Sequence, residues 1–313
     1  MNKRDAVLSQ LEPAAAPAYI PAGFFLHFDP DCREGQAAVD KHMEYFRYTG
    51  MDFVKIQYER KFPVISEIKT PDDWAKMPEY GLDFYAEPLK VVEGLVKAAK
   101  KEALVILTLY SPFMFAAQTT SYDMLTEHIK TDPDKVNVGM RTITNSVMRF
   151  VKECVRLGLD GFYTSTQGGE AARFSDPTLF DKSIRPFDLE LMDEINRTCL
   201  FSILHVCDYQ LPYSCIDRYT DYPGQVVNAS LDLTGSTLTA KEAAKLFNRP
   251  FMGGMDRLGA LAKGTKDEVR KAAEAVLTDA PERFILGADC TVPADTSWDS
   301  LKTAIDTAHN WKR

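Results

Sequence analysis

The chain has 313 residues, 45% hydrophobic and 26% charged, an ordinary globular balance and long enough to bury a core without disulfide staples. Its net charge of −8 leaves nothing to offset phosphate repulsion and argues against a nucleic-acid partner. No apolar run approaches the roughly 18 residues of a membrane span, and the opening MNKRDAVLSQLEPAAAPAY lacks the hydrophobic centre of a secretory signal. Cytoplasmic residence is therefore expected, with the six cysteines as thiols or ligands.

Short apolar or β-branched runs recur along the chain, each followed by a segment of helical period. The first, Phe24–Phe28, precedes a helix that Gly50 stops. Phe53–Gln57 comes next, ahead of a helix over 88–101 that opens on Pro88 and closes on lysines. Leu104–Leu109 is followed by a helix over 142–157, and Gly161–Thr164 comes after it. Leu200–Val206 and Val226–Leu231 lead to a helix capped by Thr239, with Glu242 completing a capping box. Phe251–Gly254, a helix over 266–278, Phe284–Gly287 and a helix over 298–309 finish the chain.

Eight strand–helix units without a low-complexity linker predict a single-domain (β/α)₈ TIM barrel over 1–313, with a short N-terminal extension over 1–20. An open doubly wound sheet is the alternative, though it usually has fewer strands. Residues 58–87 and 110–139 are too long for ordinary βα loops. They are expected to cover the C-terminal mouth, with Tyr58, Tyr110 and Phe113 facing the substrate.

The C-terminal ends of parallel barrel strands converge on one mouth, so the polar residues closing each run are the candidates for chemistry. They include His27, Tyr110, Gln167, Asp232, Asp256 and Arg257, of which His27, Tyr110 and Asp232 are the expected catalytic groups. His205 and Cys207 lie two apart on a strand, so both point to one side and supply half of a tetrahedral metal site. Cys290 arrives at the end of the last strand, and Asp232 can add an oxygen. Imidazole with sulfur favours zinc over magnesium or calcium. A bare His-x-Cys is also an ordinary packing arrangement in a core; the third soft ligand in the same register turns the balance toward metal. Cys154 falls on a helix, Cys199 precedes a strand, and Cys32 and Cys215 have no histidine at ligand spacing. Surface or capping roles are expected for His42, His128 and His309.

With GFFLHFDPD on the first run, LHVCDY at 204–209, SLDLTG at 230–235, MGGMDR at 252–257 and ILGADCTVPADTSWDSL at 285–301, the chain resembles the uroporphyrinogen decarboxylase superfamily. Within it, the chain is most similar to the zinc-dependent methyltransferases that exchange methyl groups between corrinoids and thiols. The resemblance implies zinc on His205, Cys207 and Cys290, with an exchangeable acidic ligand at Asp232. It further implies methyl transfer between a methylcobalamin-type corrinoid and a small-molecule thiol, with the corrinoid on a separate protein. Gln167, Asp256 and Arg257 are the residues expected to bind that cofactor. A metal-free carboxy-lyase using Asp29, Tyr110 and Arg257 is the competing expectation, as is a non-catalytic corrinoid- or tetrapyrrole-binding barrel. The arginine-rich motif that decarboxylases carry near the N-terminus is missing from residues 1–40.

Overall fold

The computed structural model describes residues 2–12 and 19–312. Seven strands, β1 (Phe53–Ile56), β2 (Leu104–Tyr110), β3 (Gly161–Thr166), β4 (Ile203–Val206), β5 (Val226–Ala229), β8 (Phe251–Met255) and β9 (Phe284–Ala288), form one parallel sheet in that order. A separate antiparallel hairpin pairs β6 (Asp232–Leu233) with β7 (Ser236–Thr237). Nearly every residue of the seven strands is buried, as expected where helices cover a sheet's outer face. β3 opens on Gly161, where a Cβ would lie 1.4 Å from the Phe201 carbonyl oxygen; only hydrogen fits there.

The first predicted strand is not a ladder strand. Residues 24–28 pair with no neighbour, and the one bridge, Ala22 to Leu286, lies upstream of them. The segment nevertheless contacts both edges of the sheet. Gly23 N donates to Leu286 O at 3.0 Å, Leu286 N to Pro21 O at 2.8 Å, and Asp52 N to Ala22 O at 3.0 Å. Further along, Phe25 O accepts from Val292 N at 2.8 Å, but residues 24–28 extend no ladder.

The N-terminal segment is docked at the opposite end from the site described below. Helix Lys3–Leu8 places Arg4 on Asp160, just ahead of β3, through two hydrogen bonds of 2.8 Å. The fully buried Gln10 accepts from Phe284 N, at the start of β9, at 3.1 Å.

Both long insertions contain ordered structure. They hold the turn Pro71–Lys76, helices Pro112–Thr119 and Tyr122–Thr131, and the start of helix Pro133–Arg156. That last helix begins earlier than its periodicity predicted, because Asp132 caps it and Pro133 takes its first turn. Ile65 N donates to Thr119 O at 2.9 Å, and Trp74 is buried against Gly139. Tyr58 and Phe113 do not face open space: Tyr58 packs edge-on to Phe115 and Phe150, and Phe113 lies under the Arg173 guanidinium.

The three histidines expected at the surface or at caps are interior or tied down. His42 is buried, bonds Ala38 O at 2.7 Å and accepts from Gln57 N at 3.3 Å; burial lowers its pKa to about 4. His128 accepts from Trp74 Nε1 at 3.0 Å, and His309 meets Asp52 at 2.8 Å. Among the described residues no helix is long and apolar enough to cross a membrane.

Candidate metal centre

β4 carries His205 on its inward face, and Cys207 follows at the strand's end, where Cys207 N continues the ladder by donating to Thr166 O at 3.0 Å. Past β9, Asp289 N donates to Met255 O at 3.0 Å, which sets the direction in which Cys290 leaves the sheet. β4 and β9 are separated by β5 and β8, a span of about 14 Å in a flat sheet. Even so, Cys290 Sγ lies 3.4 Å from His205 Nε2, and the ligand atoms of His205, Cys207 and Cys290 all fall within 4.8 Å of one another. The sheet is curled, and its concave face brings these side chains together. All three are buried.

The cluster is held from several sides. The His205 ring stacks on Tyr163 at 4.8 Å, and Tyr163 OH donates to Asn228 Oδ1 at 2.5 Å. Asn228 Nδ2 donates in turn to Met252 O and Ala288 O, both at 2.9 Å. His205 Nδ1 is buried without a hydrogen-bond partner, so stacking holds this ring where a carboxylate commonly would. Gln167 Nε2 donates to Cys207 Sγ at 3.5 Å, and Gln167 Oε1 accepts from Tyr122 OH at 2.7 Å. Asp208 and Asp289, each next to a cluster cysteine, are joined by Arg257 at 3.3 and 2.9 Å.

The two thiols are electrostatically unequal. The hydrogen bond between them and burial push Cys207 up. The same hydrogen bond, helped by His205 and Arg257, holds Cys290 well below the usual thiol range. Thiolates are the ligating form, so a cation bound here would displace the thiol protons.

The other expected site residues are distributed unevenly. Tyr110 closes β2, and burial, then Glu59, Cys207 and Cys290, raise its phenol, so it shares the cluster's electrostatic surroundings. His27 lies half-exposed at the rim with Nδ1 2.7 Å from Glu59 Oε1. Gln167 and Arg257 bind the cluster cysteines and their neighbours directly, which engages the polar atoms expected to hold a cofactor. Asp256 is exposed and accepts from Leu258 N at 2.8 Å, a local turn contact. Asp232 does not join the metal-ligand group: it is exposed on β6, and its carboxylate accepts from Thr237 on β7 at 3.3 Å. The hairpin closed by Gly235 turns residue 232 back on its own loop. Asp29, from the carboxy-lyase reading, is exposed.

Sequence reasoning singled out neither Tyr163, Asn228 nor Tyr122. The available signal was alternation: Tyr163 shares a face of β3 with Ser165, whose Cα pairs with that of His205.

The sequence profile described as uroporphyrinogen decarboxylase (URO-D) matches residues 48–311. No curated protein sequence matches the chain. Among solved structures, a methyltransferase from Methanosarcina mazei is similar at TM-score 0.79 and 11% identity, covering 98% of each chain. A B12-independent methionine synthase from Shewanella sp. W3-18-1 follows at TM-score 0.60 and 9% identity, over 93% of this chain and 97% of that one. A putative vitamin-B12 independent methionine synthase from Listeria monocytogenes reaches 0.54 at 12% identity, over 88% and 86%. At such identities the likeness is one of fold.

Proposed function

The chain belongs to the uroporphyrinogen decarboxylase family, and from that premise we propose that it is a zinc-dependent methyltransferase acting between a corrinoid and a thiol. The observation that carries this reading is the convergence of His205, Cys207 and Cys290 within 4.8 Å. Two sulfurs and an imidazole suit zinc, and three protein ligands leave one position for an exchangeable ligand. The donor set fits the ion: buried thiols with one lowered pKa are ready to ligate, and no carboxylate stands among them. In this reading the chain is one (β/α)₈ barrel, with the segment around Ala22 in the eighth strand position and the insertions over its mouth. Water, rather than Asp232, takes the fourth place.

When bound, zinc lowers the pKa of a thiol entering the open position and orients its sulfur. The chain's own groups do the rest. Gln167 restrains Cys207, Arg257 ties the two cysteine-bearing loops together, and Tyr163 keeps the His205 plane in place. A methyl-corrinoid docked at the mouth would supply the activated methyl group and would keep the electron pair of the broken bond when the substrate thiolate takes that methyl. The half-exposed His27, oriented by Glu59, stands at the rim to take the thiol proton. A corrinoid protein is the proposed partner, and the compartment is cytoplasmic.

Metal content and turnover test this together. Protein purified without chelator is expected to hold about one zinc per chain and to consume methylcobalamin in the presence of a thiol. Cys207→Ala is expected to lose both properties and keep its circular dichroism spectrum, while Cys154→Ala, buried on helix Pro133–Arg156, keeps both. Wild-type protein that carries no zinc, or turnover that survives Cys207→Ala, ends the proposal.

A further inference from the structure

β1 places a lysine within the apolar run FVKIQ, and its side chain turns into the concave side of the sheet. Lys55 is only 5% exposed. Its ammonium lies 4.3 Å from the Phe25 ring centroid and 4.8 Å from that of Tyr163, the ring on which His205 stacks. It donates to Gln57 Oε1, which also accepts from Thr108 Oγ1 at 3.1 Å. Among the described residues it has no ion-pair partner. A buried ammonium without a carboxylate is costly, and ring faces and one amide oxygen offset only part of that cost.

The surrounding charges show what it stands ready for. Burial pushes Lys55 down to about 7, and the charges pulling it back up are Cys290 first and Glu59 second. Glu59 is occupied by His27, with Arg33 3.8 Å from the same carboxylate. Arg257, another cation near the cluster, is occupied by Asp208 and Asp289, and Arg173 by Glu170. Lys55 is therefore the buried positive charge beside the cluster that no carboxylate neutralises.

We propose that Lys55 is the counter-charge that makes the His205–Cys207–Cys290 centre select an anion, a thiolate, for its open position. The inference rests on the metal reading above. Two thiolates and a neutral imidazole balance a divalent cation, so a third anion leaves the centre at −1. An unpaired cation nearby offsets that charge, whereas a neutral ligand gains nothing from it. A bound anion also gives the fold a reason to keep a buried lysine that weakens the unliganded state.

A pair of probes of opposite character tests this without turnover. The full chain is loaded with Co²⁺ and titrated with azide, an anion, and with imidazole, a neutral ligand, following the visible absorption of the metal. Lys55→Met is expected to weaken azide binding about tenfold, one unit of the kind a single nearby charge produces. Imidazole binding stays unchanged, and Lys55→Arg retains the azide preference. Lys55→Met removes an unpaired buried charge and is expected to melt at or above the wild-type temperature; Lys55→Gln gives the same test if the Met variant fails to fold. Azide binding equal to wild type, or an equal loss of both ligands, overturns the role of Lys55 alone. If the wild-type chain takes up no Co²⁺ at this site, the metal reading falls and this inference falls with it.

Discussion

Asp188, outside the His205–Cys207–Cys290 cluster, shows how one residue can set a pH dependence of stability. It sits in the first turn of helix Arg185–Thr198, fully buried, where Thr166 Oγ1 donates to it at 2.7 Å and Tyr222 OH at 3.4 Å. Its other oxygen has no partner. Burial raises its pKa to about 7 against those two hydrogen bonds. The folded state thus keeps a proton that the unfolded chain releases at the ordinary carboxyl pKa. The stability tied to that proton is complete at low pH and is lost as pH rises from about 4 through 7. Asp188→Asn is expected to flatten this slope, narrowing the difference between pH 5 and pH 8 by on the order of 2 kcal/mol. Urea unfolding of both proteins across that range checks it, and parallel slopes refute it.

At the scale of elements, the N-terminal helix and the insertions do different work. Helix Lys3–Leu8 is too short to persist alone in water and is held by tertiary contacts. The strongest is Arg4 on Asp160, whose Oδ2 also accepts from Val105 N at 2.9 Å and so links the helix to β2 and β3. Arg4→Ala leaves a buried carboxylate with one backbone donor and Lys100 at 3.5 Å, and is expected to cost about 2 kcal/mol. Denaturant midpoints would show it; a change below about 0.5 kcal/mol would mean the helix end is merely resting on the sheet. The insertions instead reach the site: Tyr122, on helix Tyr122–Thr131, bonds the same Gln167 that contacts Cys207.

For the whole molecule, the apolar core is distinct from the cluster. The continuous apolar core extends from Val7 to Ala308 and does not depend on the three cluster side chains. Removing metal with a chelator is expected to leave the far-ultraviolet spectrum intact. Adding zinc at about a hundred times its dissociation constant is expected to stabilise the fold by about 2.7 kcal/mol, read as a melting temperature several degrees higher. The Cys207→Ala chain should show no such rise. Collapse of the spectrum on chelation would assign the metal a structural role.

Local pattern was enough to read the alternating strands and helices, the capping box at Thr239 and the inward pairing of His205 with Cys207, because each depends on neighbours a few residues away. The resemblance also reached the family. The sequence alone did not reveal that the first run extends no ladder, that Asp232 turns back on its own hairpin, or that Arg257 is taken up by Asp208 and Asp289. Nor did it show that Lys55 lies buried without a carboxylate. The Asp232 hairpin is local, but the partners of Arg257 and the rings around Lys55 lie tens of residues away or more, and only the curl of the sheet decides that they meet.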